Sequence, residues 1–162
     1  MSKRFLGNTA NGVKVYAINK DEHMEAHSYV TDEMLKEAIQ KVNYESTFWM
    51  DTIDLGRVIG TDNCVVVSDK DNVKMLYRKG RAGKTPIVYD KAAEETSLLT
   101  IGICTDNEDG LVTVFTAFTG IKAPKEPWDP SLKSDEAKAE SEAFWDSHAL
   151  VYDESAIDSE RN

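Results

Sequence analysis

The alternation of apolar and polar positions predicts a chain rich in β-strands. Between residues 63 and 120, short runs of β-branched and aromatic residues are separated by turns that contain Gly, Asn and Asp. This composition is the usual signal of strands joined in hairpins. An Asn-Gly pair at 11–12 predicts another hairpin over residues 3–18. The strands predicted in the main stretch are 63–68, 73–79, 85–89, 97–104 and 111–119.

Two segments have the 3.6-residue period of amphipathic helices. The first covers 32–43, and the second covers 134–150 with Ser134 as its N-cap. Between the sheet and the second helix, residues 121–132 hold three of the four prolines, so we expect an extended connector that Trp128 pins in place. Residues 44–55 predict a short second helix or a buried connector.

Together these elements predict an α+β fold. Its centre is a curved, mostly antiparallel sheet, with helix 32–43 packed on one face and helix 134–150 closing an edge. The length of 162 residues suffices for one core. We therefore predict a single domain over 1–152 and a flexible acidic tail over 153–162.

The composition predicts a cytoplasmic protein without membrane contact. No apolar run approaches the roughly 18 residues that span a bilayer, and the N-terminus has no apolar segment typical of a secretion signal. Cys64 and Cys104 are the cysteines of the chain. Both lie in apolar strand patterns, which favours reduced thiols over a disulfide, although a disulfide stays possible if the two strands pair.

Charge is distributed unevenly along the chain, whose net charge is −10. Residues 57–91 carry eight Lys or Arg and four Asp, a net +4, whereas residues 126–162 carry three bases and eleven acids, a net −8. One interpretation is an acidic, solubilising end on an ordinary domain. The other is a basic site for an anionic ligand, with an acidic segment that screens it or mimics its ligand.

The turn at 78–84 is the most basic part of the chain. It reads Arg-Lys-Gly-Arg-Ala-Gly-Lys and lacks the spacing of a P-loop. Arg78, Arg81 and Lys84 are candidate phosphate ligands, through guanidinium forks and backbone amides. A basic hairpin turn without a ligand is the alternative.

Histidines and threonines complete the candidate chemistry. His27 and His148 are candidate general acids or bases, and His148 is alternatively a histidine stabilised by the end of its helix. Thr116 and Thr119 supply hydroxyls near the end of a strand, where threonine is also simply a good strand former. His23 and His27 have an i, i+4 spacing, but no nearby third ligand stands out, so we predict no metal site and no cofactor.

Metal-free cleavage of an RNA phosphodiester needs a base, an acid and cations that stabilise the charge of the phosphorane. The candidates for these roles are His27, Arg78, Arg81, Lys84, Thr116, Thr119 and His148. The sequence shows the required residue types but not their geometry.

A helix followed by an antiparallel sheet, a basic turn before Thr-Pro-Ile-Val and a late strand reading Val-Thr-Val-Phe-Thr-Ala-Phe resembles the barnase, EndoU, colicin and RelE-like ribonuclease class. The resemblance covers about residues 27–120. It implies a metal-independent ribonuclease encoded by a phage or mobile element, with RNA as the partner. It also implies roles for Arg78 or Arg81, for Thr116 or Thr119, and for His27.

The competing hypothesis is a non-enzymatic accessory binding protein. Such a protein would use the acidic segment 126–162 against a basic protein partner, or the 78–84 turn against a nucleotide. A structural virion protein is a third hypothesis.

Overall fold

The structure is a computed structural model that describes residues 2–18 and 29–162. Its fold is mixed α+β with mostly antiparallel pairing, which confirms the predicted class. None of the helices in these residues is long and apolar enough to cross a membrane. The elements are β1 (Lys3–Asn8), β2 (Lys14–Ile18), α1 (Asp32–Ile39), β3 (Phe48–Asp54), β4 (Gly60–Asp62), β5 (Cys64–Val66), β6 (Val73–Tyr77), β7 (Lys84–Val88), β8 (Glu94–Thr96), β9 (Leu98–Thr105), β10 (Val112–Thr119), α2 (Asp135–Ser147), β11 (His148–Val151) and a 3₁₀-helix (Glu154–Ala156).

The chain forms two compact units. The first comprises Met1–Thr61 and Glu95–Lys122, and the second comprises Asp62–Glu94 and Ala123–Asn162. Each unit is therefore built from two separate stretches of chain. The single domain over 1–152 stays a prediction, because the compactness of a unit does not establish whether it folds alone.

The first unit contains a five-stranded sheet in the order β1-β2-β10-β9-β3. The predicted N-terminal hairpin is present as the antiparallel pair β1–β2, and Gly12 in its turn has a φ of +84° that favours glycine. Helix α1 packs against β1 and β9. The fully buried side chains of this core include Leu35, Ile39, Leu99, Ile101, Ile103 and Val114.

Two details of the first unit differ from the sequence prediction. Helix α1 ends at Ile39 rather than 43. The segment 44–55, predicted as a short helix or a buried connector, contains strand β3 (Phe48–Asp54). Phe48–Asp54 pairs antiparallel with β9 over its whole length. Aromatic and β-branched residues are favoured in strands. The hydrogen bonds to β9 stabilise the extended conformation of this segment, which the local sequence alone did not specify.

The second unit contains a four-stranded sheet in the order β5-β11-β7-β6. The single central sheet predicted over 63–120 is therefore wrong, because its first three strands lie here and its last two lie in the first unit. The predicted helix 134–150 ends at Ser147, and His148–Val151 forms a strand between β5 and β7. The apolar run Ala149 to Val151 fits this inner strand position better than another helical turn.

The last ten residues, predicted as a flexible tail, lie against β6. Ile157 is buried, and the Asp158 amide donates to the Tyr77 carbonyl at 3.0 Å. The Asn162 side-chain amide donates to the same carbonyl at 2.9 Å. Acidic composition alone suggested a solvated end, but these backbone contacts give the segment fixed partners.

Candidate functional site

The predicted phosphate ligands lie between the end of β6 and the first residue of β7, in the second unit. Gly80 has a φ of +73°, which lets the chain reverse here, and the Arg81 amide donates to the Arg78 carbonyl at 3.2 Å. The turn thus forms where the sequence predicts it. Its cations differ from one another in their surroundings.

Arg78 is held by a buried carboxylate. Its Nη2 lies 3.5 Å from Oε2 of Glu126, and its Nε donates to Oγ1 of Thr85 at 3.2 Å. The Thr85 hydroxyl in turn donates to the same Glu126 oxygen at 3.1 Å. The Glu126 side chain is only 9% exposed and that of Arg78 is 21% exposed. The three side chains form a closed polar cluster, which we call the Arg78 cluster.

The charged form of Arg78 depends on Glu126 for compensation. Burial lowers the pKa of the Arg78 guanidinium, the negative charge of Glu126 acts in the opposite direction, and the nearby Arg81 lowers the pKa further. A buried charge that loses its partner is strongly destabilised. Glu126 already neutralises much of the charge of Arg78, so this guanidinium attracts an incoming phosphate less than an unpaired arginine would.

Arg81 and Lys84 remain as exposed cations on the turn. Lys84 Nζ lies 5.4 Å from the centre of the Tyr77 ring, within cation–π range. In the described part of the chain, no salt bridge engages either side chain. These two residues can attract an anion, but an exposed pair of cations binds it weakly.

His148 stands at the junction of α2 and β11. Its Nδ1 lies 2.9 Å from the Phe144 carbonyl oxygen and 2.9 Å from the Ser147 hydroxyl. Its ring stacks on that of Phe144 at 3.9 Å with an interplanar angle of 5°. These contacts attach the imidazole ring to the last turn of α2, although His148 itself is the first residue of β11.

Thr116 and Thr119 lie on β10 in the first unit, on a different sheet from the basic turn. Both are buried, and Thr119 donates to the Thr61 carbonyl at 2.7 Å. The pairing of β10 with β9 is irregular between Val114 and Thr116, where the register shifts. Among the described candidate residues, the two threonines therefore belong to a different sheet from the strands that flank the basic turn. His27 lies outside the described residues.

The proline-rich connector is fastened on two sides. Trp128 Nε1 donates to the Lys84 carbonyl at 2.7 Å, and its ring packs directly on Gly83, where a side chain would collide with it. From the other side, the Ser141 hydroxyl donates to the Lys125 carbonyl at 2.5 Å and Trp145 Nε1 donates to the Pro124 carbonyl at 3.2 Å. Trp128 pins the connector as the sequence predicts.

A pocket of about 290 Å³ lies between this connector, helix α2 and strands β6 and β7. Its walls are mostly apolar, and two carboxylates of α2 stand on its rim. Lys84 and Pro127 also border it. The residues that define its chemistry are Met75, Pro86, Trp128, Trp145, Glu142 and Asp146.

Sequence reasoning missed Glu126 and the pocket. A single Glu between prolines gives no periodic signal, although a carboxylate in a connector that must pack was a clue to a buried partner. Helical spacing within 134–150 could not show that Trp145 meets residues from β6 and β7. Among residues 2–18 and 29–162, no group of His, Cys, Asp and Glu could hold a metal ion.

Comparison with known proteins gives a likeness of fold. No protein-family model and no curated protein matches the chain. A crystal structure of a conserved hypothetical protein from Toxoplasma gondii ME49 is similar, with a TM-score of 0.51 and 12% sequence identity. The match covers 80% of this chain and 90% of the other. At this identity the likeness concerns the fold alone.

Proposed function

We propose that this chain is a non-enzymatic binding protein that takes a basic protein partner on the acidic surface of its second unit. The observation that carries the proposal is the outer face of α2. Five exposed carboxylates and one exposed lysine give the helix a net charge of −4. In the described residues, none of these carboxylates forms a salt bridge. They are Asp135, Glu136, Glu140, Glu142 and Asp146.

The basic turn supports binding of an anion less well than α2 supports binding of a cation. Glu126 already neutralises Arg78, whereas the carboxylates of α2 face solvent unpaired by the residues that the structure describes. Complementary charge accelerates and orients association with a basic partner. The cytoplasmic location predicted from composition remains part of this proposal.

The test measures binding of a labelled octalysine peptide by fluorescence anisotropy at low and moderate salt. We expect Glu136→Lys with Glu140→Lys to weaken binding by about tenfold or more, and added salt to weaken binding by wild type. The matched control is Glu33→Lys with Glu45→Lys, which changes net charge equally at exposed positions of the first unit. If both double variants lose the same binding affinity, the effect depends on net charge alone and the proposal is overturned.

A metal-independent ribonuclease is the second candidate function. The observation in its favour is that Arg78, Arg81 and His148, three of the predicted catalytic residues, belong to the same unit. The assay is cleavage of total RNA in the presence of EDTA by wild type, Arg81→Ala and His148→Ala. Cleavage by wild type that either substitution abolishes, with unchanged thermal melting, would support this candidate and overturn a non-enzymatic role. No cleavage by wild type would reject it.

A further inference from the structure

We propose that the pocket between Trp128 and Trp145 binds an apolar side chain of a basic partner segment, with a Lys or Arg of that segment held by Glu142 and Asp146. This inference rests on the proposed function, and it names the contact that would give the acidic surface its specificity. It is carried by the shape, the chemistry and the fixed position of the pocket walls.

The size of the pocket suits an anchoring side chain. Its volume of about 290 Å³ is at the lower limit of sites that take small molecules, which measure roughly 300–1,000 Å³. Met75 on one wall is 51% exposed, so the apolar surface is open to a partner. Protein interfaces commonly centre on one such pocket filled by an apolar or aromatic anchor.

The chemistry of the walls favours an apolar occupant. Both indole N–H groups are already used, since Trp128 donates to the Lys84 carbonyl and Trp145 donates to the Pro124 carbonyl. The indoles therefore present ring carbon to the pocket and offer no donor to a phosphate. Burial of a partner's aliphatic or aromatic side chain against them is favourable in proportion to the apolar area removed from water.

The rim of the pocket favours a cation beside the anchor. Glu142 and Asp146 are four residues apart, so they lie on the same side of α2. In residues 2–18 and 29–162, neither carboxylate has a salt bridge or a side-chain hydrogen bond. A Lys or Arg next to the anchor would pair with them and could also lie over an indole ring.

The walls are held in place before any partner arrives. The connector is bonded to the turn through Trp128, to α2 through Ser141 and Trp145, and to β6 and β7 through the Arg78 cluster. A preformed site loses little conformational entropy on binding. The occupant that meets these conditions is a segment in which Leu, Met or Phe is flanked by Lys or Arg.

The experiment compares two labelled twelve-residue peptides with the same number of lysines, one with a central Leu-Leu pair and the other with Ser-Ser. Wild type is expected to bind the leucine peptide at least about tenfold more tightly. Met75→Ser removes an apolar wall, and we expect it to reduce this preference to less than about threefold. The matched control is Val66→Ser, at an exposed strand position of the same unit that does not line the pocket, and it should keep the preference.

The outcomes separate this inference from the proposed function. Equal binding of both peptides by wild type would overturn the pocket inference and leave the acidic surface supported. A preference that persists in Met75→Ser would also overturn it. Failure of wild type to bind either peptide would overturn both. Displacement of the leucine peptide by tetramethylammonium would identify a cation as the occupant in place of an apolar side chain.

Discussion

The two units of the molecule are stabilised in different ways. The first buries a continuous set of aliphatic side chains between α1 and its five-stranded sheet. The apolar cluster of the second unit consists of Val65, Val88 and Ala149 with partly buried neighbours. Among the described residues, the buried polar groups of the first unit are all threonines, whereas those of the second are Thr85, Ser141 and the carboxylate of Glu126.

This difference predicts which kinds of sequence change each unit tolerates. Apolar burial is non-directional and tolerates small adjustments. A buried carboxylate requires specific partners at hydrogen-bond distance and is costly when one is lost. The second unit therefore depends on a few directed contacts, and the same contacts position its candidate binding pocket.

The largest expected effect is in the core of the first unit. Leu35 is fully buried in α1, so Leu35→Ala should lower the free energy of unfolding by about 3–5 kcal/mol through lost burial and the cavity left behind. Urea denaturation measures this change. Lys36→Ala, at the neighbouring exposed position, is the control and should change it by less than about 0.5 kcal/mol. Similar losses in the two variants would contradict the assignment of the core.

The next effect concerns the Arg78 cluster. Arg78→Met leaves Glu126 without its cation, and we expect the free energy of unfolding to fall by about 2–3 kcal/mol. This loss is smaller than for a fully buried ion pair because Arg78 is partly exposed. Arg78→Met combined with Glu126→Leu should recover most of this loss, since no buried charge then remains. A double-mutant cycle from urea denaturation gives the coupling energy. If the stability losses of the two single variants add up to the loss of the double variant, Arg78 and Glu126 are not coupled. The second unit would then not depend on directed contacts in the way that distinguishes it from the first.

The smallest effect concerns a surface ion pair of the first unit. Arg4 donates to both carboxylate oxygens of Asp32, at 3.0 and 2.8 Å. These bonds hold the pKa of Asp32 below its ordinary value of 3.8. The contribution of this ion pair to the stability of the fold is therefore fully present above about pH 4, the pKa of the unfolded chain. It is lost as the pH falls through the lower pKa that Asp32 has in the folded state.

Asp32→Asn tests this pH dependence. We expect the variant to be less stable than wild type by about 0.5 kcal/mol at neutral pH, as for other exposed pairs, and the difference to disappear towards pH 2. Thermal melting as a function of pH measures it. A difference that stays constant down to pH 2 would assign the effect to something other than this carboxylate.

Local patterns were sufficient for much of the fold and for little of the site. The β1–β2 hairpin, α1, the β6–β7 turn and the pinned connector all follow from short-range signals such as a turn dipeptide or a helical stripe. The residues grouped as one catalytic set were chosen by type, and two of those that the structure describes, Thr116 and His148, lie on different sheets. The sequence around Glu126 could not identify its partner, because Arg78 lies far away along the chain.

The sequence by itself determined most of the extended and helical stretches and the main turns, because backbone preference and side-chain periodicity are local properties. Tertiary structure decided which strands share a sheet. It also decided that residues 148–151 form β11 rather than another helical turn, and that Arg78 pairs with Glu126. These outcomes depend on which faces meet and on the cost of burying a charge, and that cost exists only once distant parts of the chain have come together.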